Sequence, residues 1–249
     1  MDQHAIVVGA SRGIGGALVR ALLDRVEITQ VFGASRDPMA SPELLAVHRG
    51  NPSRFQPVQL DVTDEKSIRR AVEEVRERTD RIHLLLVTAG ILHGEGIAPE
   101  KRLEAVDPAA LQRSFAVNSI GPLLIGKHFW RLLRHHDRAV FGSLSARVRS
   151  IGDNRAGGWY GYRASKAAQN MVMKTLSIEL GRRAPNLICV SLHPGTVETH
   201  LSAPFGQGTP ADKRFSPDLA ARQLLTVIDR LGPEDSGAFI GWDGQPIPW

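Results

Sequence analysis

Three glycines set the first constraint on this chain. Gly9, Gly13 and Gly15 lie in VVGASRGIGGAL, between an apolar run, HAIVVG (4–9), and an amphipathic one, GIGGALVRALLDR (13–25). A glycine that closes a buried strand permits a tight turn. One that opens a helix lets backbone N–H groups approach a pyrophosphate, and the next lets the helix pack closely on the sheet. The helix dipole then favours the anion. Between a buried strand and an amphipathic helix, the triplet predicts a dinucleotide site rather than a plain flexible turn. Its spacing is G-x-x-x-G-x-G, which differs from the more common G-x-G-x-x-G.

The strand–helix alternation continues to the end of the chain. Further strands are expected at 28–35, 55–64, 81–90, 138–145, 186–195 and 237–242, and helices at 65–79, 107–116, 118–135, 159–182 and 216–231. Asp64 and a serine at 216 are placed to cap helices. The strands are continuous apolar runs, as in a parallel sheet covered on both faces. The expected fold is therefore α/β: a doubly wound Rossmann fold with a seven-stranded parallel sheet, in one domain over 1–249. Stretches 36–54, 91–106 and 200–215 carry the least pattern, and the last is long enough for a mobile lid.

Composition narrows the partners. Of 249 residues, 42% are hydrophobic and 23% charged, ordinary values for a globular chain. No apolar run approaches the roughly 20 residues needed to span a bilayer. The N-terminus lacks the basic and apolar regions of a secretory signal. The lone Cys189 excludes an intrachain disulfide and fits a reducing cytoplasm. The net charge of +5 is scattered, with no run of five basic residues, so a phosphate-rich cofactor accounts for part of it better than nucleic acid or membrane does. No His, Cys or carboxylate set has metal-site spacing.

The second strand ends in VFGASRDP. An NAD site usually carries an acid here, on the ribose hydroxyls. This chain has Ser35 and Arg36, with Asp37 just beyond. A guanidinium pairs with a 2′-phosphate in two-pronged fashion, and Arg12 in the glycine loop adds a second positive charge. These residues predict NADP over NAD; Asp37 in the acidic role is the alternative. Later, YGYRASKAA (160–168) holds the only two tyrosines of the chain. Tyr162 and Lys166 lie four apart on a helix, hence on one face. An ammonium beside a phenol favours the phenolate, so the pair can serve as a general acid/base or simply as a solvated polar patch. Tyr160 is followed at the same distance by Ala164 and lacks such a partner.

These pieces together resemble the short-chain dehydrogenase/reductase family. The matching segments occur in the family's order: GASRGIG (9–15), DV (61–62), TAG (88–90), Asn118, SLS (143–145), YRASK (162–166) and PGTVET (194–199). Within it, GGWYGYRASKAA and the preceding SIGDNR are most similar to the C-factor-like and sniffer-like carbonyl reductase branch. The resemblance implies hydride transfer between a nicotinamide and a carbonyl or alcohol. It implies Tyr162 as acid/base, with Lys166 also bonding the nicotinamide ribose and Asn118 holding a water that links the lysine to solvent. It implies a serine that polarises the carbonyl; Ser145 suits the C-factor-like pattern, and Ser143 is the alternative. It implies a cofactor cradle of Gly9, Ser11, Arg12, Gly13, Ile14, Gly15, Ser35, Arg36, Asp61, Val62, Ala89 and Gly90, completed by Tyr162, Lys166, Pro194, Gly195, Thr196, Val197 and Thr199. The family's usual Asn and Thr are replaced by Thr88 and Val8, which touches supporting hydrogen bonds. The resemblance also implies a homodimer or homotetramer. A signalling protein of the same fold with little turnover is the rival reading. Trp159 and Phe205 point to an apolar component in the substrate pocket, or to core packing.

Overall fold

The computed structural model describes residues 2–94, 96–204 and 214–249, apart from the side chain of Arg149. Seven strands form one sheet: β1 (Gln3–Val8), β2 (Ile28–Ser35), β3 (Phe55–Gln59), β4 (Leu84–Val87), β5 (Ala139–Leu144), β6 (Leu187–His193) and β7 (Phe239–Gly241). Their order is β3-β2-β1-β4-β5-β6-β7 and all pairs are parallel. The chain winds outward from β1 to β3, then crosses back to lay β4 beside β1. That reversal opens a crevice at the carboxyl ends of β1 and β4, where ligands bind in such sheets.

Among the described residues, seven α-helices cover the sheet: α1 (Gly13–Leu23), α2 (Pro42–Gly50), α3 (Glu65–Arg76), α4 (Pro108–Phe115), α5 (Gly121–Phe129), α6 (Tyr160–Arg183) and α7 (Pro217–Arg230). Successive strand residues point to opposite faces. Ala5 and Val7 of β1 accordingly pack with α1 and α7, whereas Ile6 and Val8 pack with α3, α5 and α6. Both faces of β1 are buried, which is why its sequence is apolar without alternation.

Three details depart from the sequence expectation. Helix α2 lies in a stretch that carried little pattern. Its Ser41 cap and Pro42 start are ordinary helix signals, but only Leu44 is buried, so its apolar periodicity is weak. Helix α5 stops at Phe129 rather than 135, because the carbonyl of Leu132 turns to accept from Ile82 N at 2.7 Å. His135 therefore lies beyond the helix. The tail folds back on its own chain: Ile247 N donates to Phe239 O, and the carbonyl of Trp249 accepts from Gly152 N and Ser150 Oγ. The expected lid at 200–215 falls partly, and Phe205 wholly, outside the described residues. Among the described residues no helix is long and apolar enough to cross a membrane.

A histidine cluster marks the opposite edge of the sheet. His83 and, from a much later stretch of the chain, His135 and Asp137 bring their ligand atoms within 4.8 Å of one another. His83 Nδ1 accepts from His4 N at 3.1 Å, so its Nε2 carries the ring proton and lies 3.5 Å from Asp137 Oδ2. That tautomer leaves Nε2 no lone pair for a metal. Burial, then the neighbouring His135, hold the His83 pKa below its ordinary value, against the opposing pull of Asp137. The unfolded chain thus takes up this proton first as pH falls. The contribution is present above the unfolded value, about 6.5, and is lost as pH drops through it toward the lower folded one. His83→Asn keeps an acceptor for His4 N and removes the titration. In urea unfolding it should lose less stability than the parent between pH 7 and 5; equal losses would contradict the account.

Candidate active site

The glycine turn is built by close backbone approach. Gly9 and Gly13 have φ of 94° and 57°, in the left-handed region that favours glycine. The amides of Gly9 and Ala10 both donate to Ala34 O, at 2.8 and 3.0 Å, fixing the turn to β2. A side chain on Gly15 would collide with the carbonyl of Gly9 and come within 2.7 Å of Thr88 Oγ1. Thr88 braces the same turn, its hydroxyl lying 3.0 Å from Val8 O and 3.1 Å from Gly9 O. The departure from the family's asparagine is therefore met by a shorter strut. Ser11 on the loop and Ile14 in the first turn of α1 are half-buried, and Ser11 O accepts from Ser41 Oγ at the start of α2.

Helix starts differ in a way that matters here. Helices α2, α3, α4 and α7 begin on capping side chains, Ser41, Asp64, Asp107 and Ser216. Helix α1 begins on Arg12 with no side-chain cap and no acid in its first turn. Its leading amides are thus left without a side-chain cap at the carboxyl end of β1, where the helix dipole favours an anion.

At the far end of the crevice, Ser35 is buried and its Oγ has no hydrogen-bond partner. Arg12 and Arg36 are exposed. The ion pairs among the described residues use neither. Asp37 instead closes its own turn, accepting from Ala40 N at 3.0 Å. Asp61 Oδ1 accepts from Thr63 N and Oγ1, and buried Val62 packs against Gly121.

The opposite end gathers the reacting candidates. Tyr162 is 9% exposed and Lys166 4%, whereas Tyr160 is 42% exposed. Lys166 Nζ donates to Leu144 O and to Gln169 Oε1, both at 2.9 Å. Gln169 Nε2 in turn donates to Ser143 Oγ and to Leu144 O. Ser143 is thus engaged inside the sheet. Ser145 Oγ, two residues on, is buried with no hydrogen-bond partner. Asn118 lies in a π-helical turn, Ala116–Ile120, between α4 and α5. Such turns are frequent at functional sites. Its amide pairs with Ile91 N and O, at 2.8 and 2.9 Å, and donates to Ser165 Oγ. Ala89 is tied to Val8 O. A side chain on Gly90 would sit 3.4 Å from both Asn118 Oδ1 and Lys166 Nζ, so these three residues meet.

Pro194 to Thr199 return the chain from β6 to the glycine turn. Gly195 has φ of 78°, and a side chain there would strike Phe215 and Trp242. Thr196 O and Glu198 N bond the backbone of Phe215, which buries Val197. Thr199 Cγ2 lies 3.3 Å from where a side chain on Gly13 would begin. The loops that carry Gly9 and Gly13, Thr88 and Ala89, and Thr199 therefore converge.

Sequence reasoning placed Thr88 among the supporting hydrogen bonds but missed two supports, Gln169 and Glu100. Gln169 continues the Tyr162–Lys166 stripe at i+7, a signal the helical period contained. Glu100 had none. Its buried carboxylate accepts from Gly161 N, 3.2 Å from each oxygen, and its carbonyl accepts from Trp159 N. It caps α6 from 61 residues away. Gly157, Gly158 and Trp159 enter that helix in left-handed conformation. For Trp159 this costs about 1–2 kcal/mol. Its ring, half-buried, meets Tyr162 edge-on at 6.3 Å.

A family model described as short chain dehydrogenase matches residues 3–209. The NADPH-bound carbonyl reductase from chicken fatty liver superposes with a TM-score of 0.87, at 30% identity over 100% of both chains. The carbonyl reductase Sniffer of D. melanogaster gives the same TM-score at 25% identity, again over 100% of both. The C-signal of Myxococcus xanthus is 38% identical over 144 residues, 58% of this chain and 81% of that protein. The family match spans the glycine turn, the crevice and the Tyr162–Lys166 helix; the chain belongs to the short-chain dehydrogenase family.

Proposed function

We propose that this chain is an NADP(H)-dependent oxidoreductase acting on a carbonyl or alcohol, with Tyr162 as general acid/base. One observation carries the reading: a buried phenol and a buried ammonium one helical turn apart, at the carboxyl edge of the sheet. The residues fit the dinucleotide. The uncapped start of α1 suits a pyrophosphate, and the orphaned Ser35 hydroxyl with Arg36 and Arg12 suits a 2′-phosphate. Asp37 spends Oδ1 on its own turn, and the preference for NADP rests on the two arginines.

When bound, the nicotinamide supplies or accepts the hydride. Tyr162 gives its proton to the substrate oxygen in reduction and recovers it in oxidation. Lys166 favours the phenolate and holds the ribose. Ser145 offers the substrate oxygen a hydroxyl not spent on the protein, and Ser143 does not. Asn118 ties the loop at Ile91 to Ser165 beside the lysine. Exposed Leu123 of α5 and Met171 and Ile178 of α6 support a homodimer or homotetramer.

The test is a carbonyl panel assayed with NADPH and NADH. The parent should favour NADPH, and Arg36→Asp should reverse the preference, weakening NADPH by at least tenfold through lost pairing and added repulsion. An unchanged preference in Arg36→Asp would remove the guanidinium from the cofactor site. Likeness to the C-signal favours a second reading, a dinucleotide-binding signalling protein. Tight NADPH binding without turnover on any panel member would select it.

A further inference from the structure

We propose that Gln169 is the positioning residue of Lys166 and the reason one serine, not two, is available to substrate. The inference deepens the reading above and rests on it. Gln169 is 1% exposed, on the same face of α6 as Tyr162 and Lys166. Its two ends do different work. Oε1 accepts from Lys166 Nζ at 2.9 Å. Nε2 donates to Ser143 Oγ and, at 2.9 Å, to Leu144 O. Leu144 O is also an acceptor for Lys166 Nζ. Lysine, glutamine and the end of β5 thus close a triangle of hydrogen bonds about one carbonyl. The triangle fixes the ammonium against β5, beneath Gly90 and Asn118.

An amide suits this place better than a carboxylate or an alkyl group. Because it is neutral, it holds the ammonium without cancelling its charge, so Lys166 keeps its full pull on the phenol. Because it also donates, it can serve the carbonyl of Leu144, which a carboxylate, an acceptor only, cannot. Leucine would fill the volume and leave Lys166 and Ser143 each one partner short inside the fold. Among the described residues, the charged groups bonded to this part of α6 include Glu100, capping Gly161 N, and Arg163, whose guanidinium bonds Gly158 O and Val148 O.

The test is a double-mutant cycle of Gln169→Leu with Lys166→Ala, read by NADPH fluorescence and thermal melting. Lys166→Ala should weaken NADPH by about tenfold, the scale of a lost charged hydrogen bond. Gln169→Leu should approach that loss, and the double variant should be no weaker than Lys166→Ala alone. Additive losses would assign Gln169 a structural role and overturn the proposal. Gln169→Glu guards against simple misfolding. It keeps an acceptor for Lys166 and should bind NADPH within about threefold of the parent, less than half a tenfold step on a logarithmic scale. Its carboxylate should offset the ammonium and move the alkaline limb of NADPH-dependent reduction up by about one pH unit. A parental pH profile would also overturn the proposal. The binding cycle needs no turnover, so loss of the acid/base reading through an active Tyr162→Phe leaves this result separately legible.

Discussion

Tyr162→Phe is expected to remove nearly all turnover, while Tyr160→Phe leaves it within about twofold. A positioned general acid/base contributes roughly 10²–10⁴-fold to rate, and the Phe variant deletes only the oxygen that moves the proton. The ring stays, and so does its edge contact with Trp159. The phenol is nearly buried and its neighbour at 160 is largely exposed, so the two variants remove the same atom from different surroundings. Melting temperature should change little in either, and NADPH should still bind to both. Steady-state NADPH oxidation on a responsive carbonyl, with a binding titration alongside, checks the pair. Equal turnover in parent and Tyr162→Phe would end the general acid/base assignment.

Gly15→Val should have the largest effect on the fold itself. The first carbon of any side chain at 15 meets the Gly9 carbonyl, which cannot yield without undoing the turn. That turn is pinned by two amides on Ala34 O and braced by the Thr88 hydroxyl. Overpacking of this kind costs about 3 kcal/mol or more. In a domain of this size that is a fall of roughly 6–12 °C in melting temperature. NADPH binding should fall with it, since the same backbone shift moves the start of α1. Gly16→Ala is the contrast. The nearest atoms a side chain there meets are those of the Glu43 carboxylate, the far end of a flexible side chain bound to Arg20, so stability should stay within about 1 kcal/mol of the parent. Similar melting losses in both variants would contradict the backbone argument.

Much of the architecture was legible because it is periodic over short distances. Continuous apolar runs between amphipathic segments specify a buried parallel sheet, and the strand-to-helix glycines specify its cofactor edge. Where periodicity was weak, as in α2 with only Leu44 buried, the element escaped notice despite its Ser41 cap. Helix α5 was read too long because its end is set by a carbonyl turned to Ile82, which no local signal announces.

The chain alone determined that a phenol and an ammonium share a helical face, since four residues of helix bring them there whatever surrounds them. Tertiary structure decided the rest of the site. It engaged Ser143 with Gln169 and left the Ser145 hydroxyl without a partner, brought Glu100 across 61 residues to cap the helix, and turned Asn118 inward on a π-helical turn. Each of these depends on which groups from different strands and loops meet in a buried place, and which are left without a partner there. Local residue preference holds no record of such pairings, because they exist only once the sheet has closed.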